Sequence, residues 1–213
     1  MNFEPPTIVV GFAAEAKIAR QTGWPVVIGG GTEAGAARVA RQAIAAGATG
    51  LLSFGLAGGL DPALESGRLV VPDAVVSAGR RWAVDPGLLH RLGGSTGHLC
   101  LGFDRIAATA AEKRRLWKET GAAAVDMESG AVAEAAAKAG VPFAVLRAIC
   151  DTAARDLPPA AMVALDETGA ISPWRLMGSL LRDPRQIPAL IALGRDAALA
   201  RRTLLAMAKA LAG

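Results

Sequence analysis

Short apolar runs alternate with Ala-rich stretches along most of this chain. Thr7–Phe12 (TIVVGF) is apolar and β-branched and predicts a buried strand. Ala13–Arg20 predicts a helix. Pro25–Ile28 predicts a second strand, ending in Gly29-Gly30-Gly31. Thr32 predicts the cap of a helix that runs to Ala46, with Gly47 as its stop. Gly50–Phe54 predicts a third strand, leading into a Gly-rich loop over Gly55–Gly59. Leu69–Val76 predicts another strand, and the mixture of Gly, Pro and charge over 79–97 predicts irregular structure. Farther on, Leu99–Leu101 predicts a short strand and Ala111–Glu119 a helix. Ala124–Met127 predicts a strand end, Glu128–Ala139 a helix stopped by Gly140, and Pro142–Cys150 a long apolar strand closed by Asp151.

The last stretch, Ile187–Leu211, sets Leu190, Leu193, Ala197, Ala200, Leu204, Met207 and Leu211 on one stripe at helical spacing. Arg195, Arg202 and Lys209 fall on the opposite face. Such a helix packs on a sheet, or lies on a membrane surface. The alternation of strands and helices implies an α/β fold: a single domain over 1–213 with a mixed, mostly parallel central sheet flanked by helices. The chain is long enough for one sizeable core.

Composition narrows the chemistry. Hydrophobic residues make up 52% and aromatics only 4%, so the core is aliphatic. Cys100 and Cys150, with His90 and His98, have no metal-ligand or disulfide spacing, so no metal is expected. The thiols read as reduced in a cytoplasmic protein. The first residues lack the basic and apolar regions of a signal peptide, and no apolar run is long enough to span a bilayer. Of the net charge of +4, residues 174–213 carry seven basic and two acidic side chains. That basic end suggests an anionic partner, such as the inner membrane face. Nucleic acid is not expected, because aromatic residues do not interleave with the charges.

In open α/β sheets ligands sit beyond the carboxyl ends of strands. Those ends here carry Glu15, the 29–31 glycines, the 55–59 glycines and Asp151, with Asp126-Met127-Glu128-Ser129 at a helix start. A dinucleotide site would need an acid after the strand that follows the glycines. Ser53-Phe54-Gly55 supplies none, and no phosphate-binding lysine follows, so no nucleotide cofactor is expected.

Taken in order, Gly11…Glu15, Gly29–Gly31, Phe54-Gly55-Leu56-Ala57-Gly58-Gly59, Val125-Asp126-Met127-Glu128 and Arg147-Ala148-Ile149-Cys150-Asp151 resemble the nucleoside phosphorylase superfamily, including the methylthioadenosine/S-adenosylhomocysteine nucleosidases. The resemblance spans about residues 7–155. Within it, Ser53–Pro62, Val125–Ser129 and Ile171-Ser172-Pro173-Trp174 are most similar to the hopanoid-associated phosphorylase group. That group implies a nucleoside phosphorylase-like domain and release of adenine from adenosylhopane in hopanoid biosynthesis. It further implies a small-molecule or lipid nucleoside as partner, and a homo-oligomer.

The chemistry suits these residues. Cleaving an N-glycosidic bond leaves positive charge on the ribose and negative charge on the departing purine. The resemblance makes Asp151 the acid at the base, kept protonated by the apolar strand behind it. It makes Glu128 the acceptor for the ribose hydroxyls and Met127 a soft surface against the sugar. Ile106 and Ala107 fall where the base edge is held by backbone groups. Glu15 matches the glutamate that orients attacking water. Phosphorolysis would instead need an anion cradle, for which Gly29, Gly30, Gly31 and Arg147 are the candidates, with phosphate as co-substrate. Both routes stand open at this level. Leu56 replaces a serine of the nucleosidase loop, which makes the pocket more apolar and leaves the usual hydroxyl missing. Two alternatives follow: a nucleosidase or phosphorylase acting on soluble nucleosides, and a nucleoside-binding module without catalysis.

Overall fold

The β-branched runs become strands of one sheet, and the Ala-rich stretches become the helices that cover it. This is seen in a computed structural model that describes residues 4–164 and 173–213. In chain order the elements are β1 (Thr7–Val10), α1 (Ala13–Ala19), β2 (Val26–Ile28), α2 (Glu33–Ala45), β3 (Leu51–Gly59), β4 (Leu69–Val70), β5 (Ala74–Ser77), β6 (Arg80–Ala83) and α3 (Pro86–Arg91). They continue with β7 (Leu99–Gly102), α4 (Ala110–Thr120), β8 (Ala124–Asp126), α5 (Ser129–Ala139), β9 (Phe143–Asp151), α6 (Pro159–Ala164), α7 (Pro173–Arg182) and α8 (Ile187–Leu211).

The sheet runs β2-β1-β3-β8-β7-β5-β6, with β9 along β3. The pairs β1–β2, β1–β3, β3–β9, β5–β7 and β7–β8 are parallel, whereas β3–β8, β4–β9 and β5–β6 are antiparallel. The expected mixed, mostly parallel sheet is therefore present. Its centre is mostly aliphatic: Ile8, Val9, Leu51, Val145 and Leu146 are fully buried, with Phe54 among them. Each such side chain contributes about 1.5–3 kcal/mol by leaving water.

Several local expectations are corrected. The glycines at 55–59 form no loop. They extend β3 to Gly59, because β9 offers a continuous parallel partner, with Gly55 opposite Arg147 and Gly58 opposite Asp151. The predicted strand 69–76 splits into β4 and β5 around Pro72, which has no N–H to donate to a ladder. The region 79–97 is more regular than its composition suggested. It holds β6, reached by a tight turn whose Ala78 and Gly79 both have positive φ (48° and 73°), and then α3, capped by Asp85. Asp151 ends β9 rather than following it. Ile171 and Ser172 of the hopanoid-type motif lie outside the described residues.

Thr32 caps α2 as expected, its hydroxyl accepting from the Gly35 N–H at 3.1 Å. α8 also follows its sequence pattern. Ala200 and Leu204 are fully buried, while Arg195, Arg202 and Lys209 are exposed. Thr203 Oγ1 donates to Gly67 O at 2.8 Å, and Asp196 pairs with Arg155 at 3.0 Å, so α8 is docked on the body. No helix among the described residues is long and apolar enough to cross a membrane.

Candidate active site

β9 is the spine of the site. Arg147 and Asp151 are four residues apart on it, and between them the register with β3 shifts at a bulge, Ala57 standing opposite Ile149 and Gly58 opposite Asp151. Each is buried, and each gathers an ionic group of its own.

Arg147 is only 1% exposed. Its Nη2 donates to Ser53 Oγ at 2.6 Å and Ser129 Oγ at 3.2 Å, and lies 3.1 Å from Glu128 Oε2. Nη1 donates to Leu56 O at 3.2 Å. Nε lies 3.1 Å from Asp126 Oδ2, an ion pair outside hydrogen-bonding geometry. Burial works against this charge, but Asp126, Glu128 and Glu15 outweigh it and hold the guanidinium charged. Asp126 has a second task at the start of α5: it accepts from the N–H groups of Glu128 (2.8 Å) and Ser129 (2.6 Å). The helix start is satisfied, and Glu128 is thereby aimed inward.

Glu15 sits in the first turn of α1 and reaches back over it. Oε2 accepts from the N–H groups of Gly11 and Phe12, each at 3.1 Å, and Oε1 accepts from Leu56 N–H at 2.8 Å. Glycine makes this crowding feasible. A Cβ on Gly11 would lie 2.7 Å from Glu128 Oε1 and 3.3 Å from Glu15 Oε2. A Cβ on Gly55 would collide with Glu15 and lie 2.8 Å from Arg147 Nη1. Gly11 and Gly55 thus leave room for carboxylates, with no need for unusual backbone angles.

One guanidinium therefore faces three carboxyl groups, Glu15, Asp126 and Glu128. Burial pushes Glu128 up to about 7; Arg147 opposes this, while Asp126 and Glu15 add to it. Burial also raises Glu15, against the pull of Arg147 and of the amides of Leu56, Phe12 and Gly11. Near neutral pH the site can therefore take up or release a proton at Glu128, and Glu15 is a better base than an exposed glutamate.

Asp151 is 4% exposed, and its surroundings differ from the expected apolar pocket. Lys113 of α4, wholly buried, places Nζ on Asp151 Oδ2 and donates to Thr152 O and Arg155 O, each at 3.0 Å. The Cys150 thiol, pushed up by burial and by Asp151, lies 3.2 Å from Oδ1 as its donor. The assumption that only apolar strand stands behind Asp151 is corrected by this ammonium.

In the candidate phosphate cradle two backbone amides are already engaged. The Gly29 and Gly30 N–H groups donate to Val10 O and Gly11 O, each at 2.8 Å, closing the β1–β2 edge. Gly31 packs beneath the Phe12 ring. Arg147 Nη1 and Nη2 already donate to a carbonyl and two serines, while Nε faces Asp126 as an ion pair without a hydrogen bond. Leu56 contributes its N–H and carbonyl to the site, which do not depend on its side chain. Met127 is half-buried beside Glu128 in sequence, and Ile106 and Ala107 lie in the segment between β7 and α4. Among the described residues no group of three or more His, Cys, Asp or Glu side chains could hold a metal ion.

Sequence reasoning missed Lys113, Ser53 and Ser129. Lys113 carried a signal. It leads the inward stripe of α4, Lys113, Leu116, Trp117 and Thr120, where a cation is out of place unless something buried pairs with it.

The geometry has relatives. A structure of Helicobacter pylori 5′-methylthioadenosine/S-adenosylhomocysteine nucleosidase aligns with TM-score 0.68 and 18% identity, covering 97% of this chain and 98% of that one. An S-adenosylhomocysteine nucleosidase from Streptococcus pyogenes aligns with TM-score 0.66 and 20% identity, over 97% and 98%. Futalosine hydrolase of Helicobacter pylori aligns with TM-score 0.66 and 18% identity, over 94% and 95%. At these identities the likeness is one of fold. No curated protein sequence matches the chain. The sequence profile of the phosphorylase superfamily matches residues 18–170, most of the chain, and the chain belongs to that superfamily.

Proposed function

We propose that this chain hydrolyses the N-glycosidic bond of an adenine nucleoside, with water rather than phosphate as nucleophile. The carrying observation is that Glu15 occupies the amides of Gly11, Phe12 and Leu56 while the Arg147 guanidinium is already ion-paired with Asp126 and Glu128. An incoming phosphate would meet carboxylates where it needs donors, whereas water finds a base. Glu128 accepts from the ribose hydroxyls, and its charge favours the cationic sugar of the transition state. Asp151 gives a proton to the departing purine. Glu15 takes the proton that water gives up, so the site as a whole loses none. The relatives described as acting on methylthioadenosine and S-adenosylhomocysteine support an adenine nucleoside.

For the 5′-substituent we propose a large apolar group, adenosylhopane being the substrate implied by the hopanoid-type motifs. Leu56 supports this by offering a side chain that greets hydrocarbon better than a hydroxyl would. Access to such a lipid is supported by the last two helices. There Met177, Leu181, Ile187, Ile191 and Leu199 are exposed, with Arg182, Arg185 and Arg195 also exposed. Flotation with anionic liposomes at low salt should carry the protein upward, and its failure would remove the membrane part.

The deciding assay measures adenine release from adenosylhopane and from methylthioadenosine, each with and without phosphate. Release independent of phosphate and faster with the lipid supports the reading. Strict phosphate dependence would return the site to phosphorolysis. Preference for methylthioadenosine would make this a nucleosidase of soluble substrates.

A further inference from the structure

Among the described residues Lys113 is the one buried cation without a task in the proposed cleavage. It reaches the site from α4, an element remote in sequence from β9, and it is wholly buried. Its three N–H bonds meet three acceptors: Asp151 Oδ2, Thr152 O and Arg155 O. No N–H remains for a substrate, so Lys113 can act only through Asp151. Two of the acceptors are backbone carbonyls, which do not titrate. They keep the ammonium in place whether Asp151 is ionised or protonated.

The other oxygen is differently treated. Among the described residues Asp151 Oδ1 accepts only from the Cys150 thiol, a weak donor. Gly58 stands opposite Asp151 in the sheet, and its missing side chain keeps bulk away from the carboxyl, a Cβ there standing 3.5 Å from both oxygens and 3.2 Å from Val125 Cγ1. One oxygen is anchored by charge and the other is left for the base.

Resting on the proposed cleavage of an adenine nucleoside, we propose that Lys113 is the positioning residue for Asp151. Its ammonium anchors Oδ2 and stabilises the carboxylate left when the Oδ1 proton passes to the base. In that step the Asp151 O–H bond breaks and a purine N–H bond forms. The electron pair of the glycosidic bond goes to the base, and Lys113 stays an ammonium throughout. The gain is a carboxyl held in register with the base and a stabilised carboxylate once the proton has left. The groups facing this carboxyl are Lys113 from α4, Cys150 from β9 and, from α1, Glu15, whose field reaches Cys150. Arg155 and Asp196 of α8 neutralise each other nearby at 3.0 Å.

The test is the pH profile of adenine release from methylthioadenosine or adenosylhopane for the wild type, Lys113→Met and Lys113→Arg. Removing the charge should move the alkaline limb of kcat/KM upward, because an adjacent opposite charge favours the ionised carboxyl. The plateau should fall roughly 10-fold, a part of what general acid help supplies. Lys113→Arg should leave the limb near its wild-type position. A Lys113→Met profile scaled down at every pH with its limb unmoved, or unchanged altogether, overturns the proposal. Should Lys113→Met fail to fold, nitrogen NMR of the Lys113 side chain in the wild type decides. The proposal requires an ammonium across the whole alkaline limb, and a neutral amine there overturns it. If the wild type releases no base from either nucleoside, the functional reading itself fails and takes this inference with it. If Asp151→Asn abolishes release while Lys113→Met leaves the limb in place, only the role of Lys113 falls.

Discussion

The middle of β9, at Arg147, and its C-terminal end, at Asp151, solve the same problem in different ways. Around Arg147 a single guanidinium serves three buried carboxyl groups, and burial pushes Glu15 and Glu128 upward against its pull. At the Asp151 end a single carboxyl meets a single ammonium, and the charges match. The difference fits the reaction. An excess of carboxylate favours a cationic sugar and a proton-accepting base, while a matched pair suits a group that must give a proton and recover. Burial strengthens both effects, because charges interact more strongly away from water.

Breaking the crowded site at Arg147 should have the largest effect. Arg147→Met leaves three carboxyl groups without their shared cation, and removing one partner of a buried pair costs about 3–5 kcal/mol. Chemical denaturation should show that loss, and a smaller loss for Lys113→Met would rank the two sites. A change under 1 kcal/mol would mean that the carboxyl groups are held by their amides alone, each such bond contributing about 1.5–3 kcal/mol.

Next come the two proton-handling residues. Glu15→Gln and Asp151→Asn should each lower adenine release by roughly 10²–10⁴-fold, with folding retained. If only one of them matters, the division of labour between the two sites is wrong. Gly11→Ala should resemble Glu15→Gln in activity, since its Cβ would intrude between Glu15 and Glu128.

A gentler probe is pH. Glu128 is raised from an ordinary value of 4.5 to about 7 by burial. A carboxyl raised on folding contributes stability that is complete below its unfolded value and is lost as pH rises through its folded value. The melting temperature should therefore fall between about pH 4.5 and 7, and Glu128→Gln should flatten that slope. Nucleoside affinity should move the other way and strengthen above pH 7, because the ionised form is the better acceptor for ribose hydroxyls. Parallel trends would show that Glu128 does not hold the sugar.

The smallest effect is expected from Leu56→Ser. The backbone N–H and carbonyl of this residue make the contacts with Glu15 and Arg147, so the substitution should leave the catalytic geometry intact. It should shift preference from apolar toward small polar 5′-substituents by roughly 10-fold, the worth of a modest apolar contact. Loss of all activity would make the side chain more than pocket lining.

Local order was legible from the chain itself wherever burial imposes a period. The α8 stripe, the Thr32 cap, the aliphatic β1 and the long β9 all follow from side-chain alternation or helical spacing, which local geometry enforces. The ordered motifs also singled out Glu15, Glu128 and Asp151, because each stands where an apolar run or a glycine turn ends. Tertiary structure decided the rest. Whether Gly55–Gly59 bends or runs straight depended on β9 lying beside it. Arg147 reads from sequence as an anion binder, and the anions it meets are the protein's own carboxylates, from α1, β8 and the start of α5. Lys113 is 38 residues from Asp151. Sequence can show that a charge is misplaced on an apolar stripe, but only folding can supply its partner, because pairing across such a distance is a property of the sheet and not of any segment.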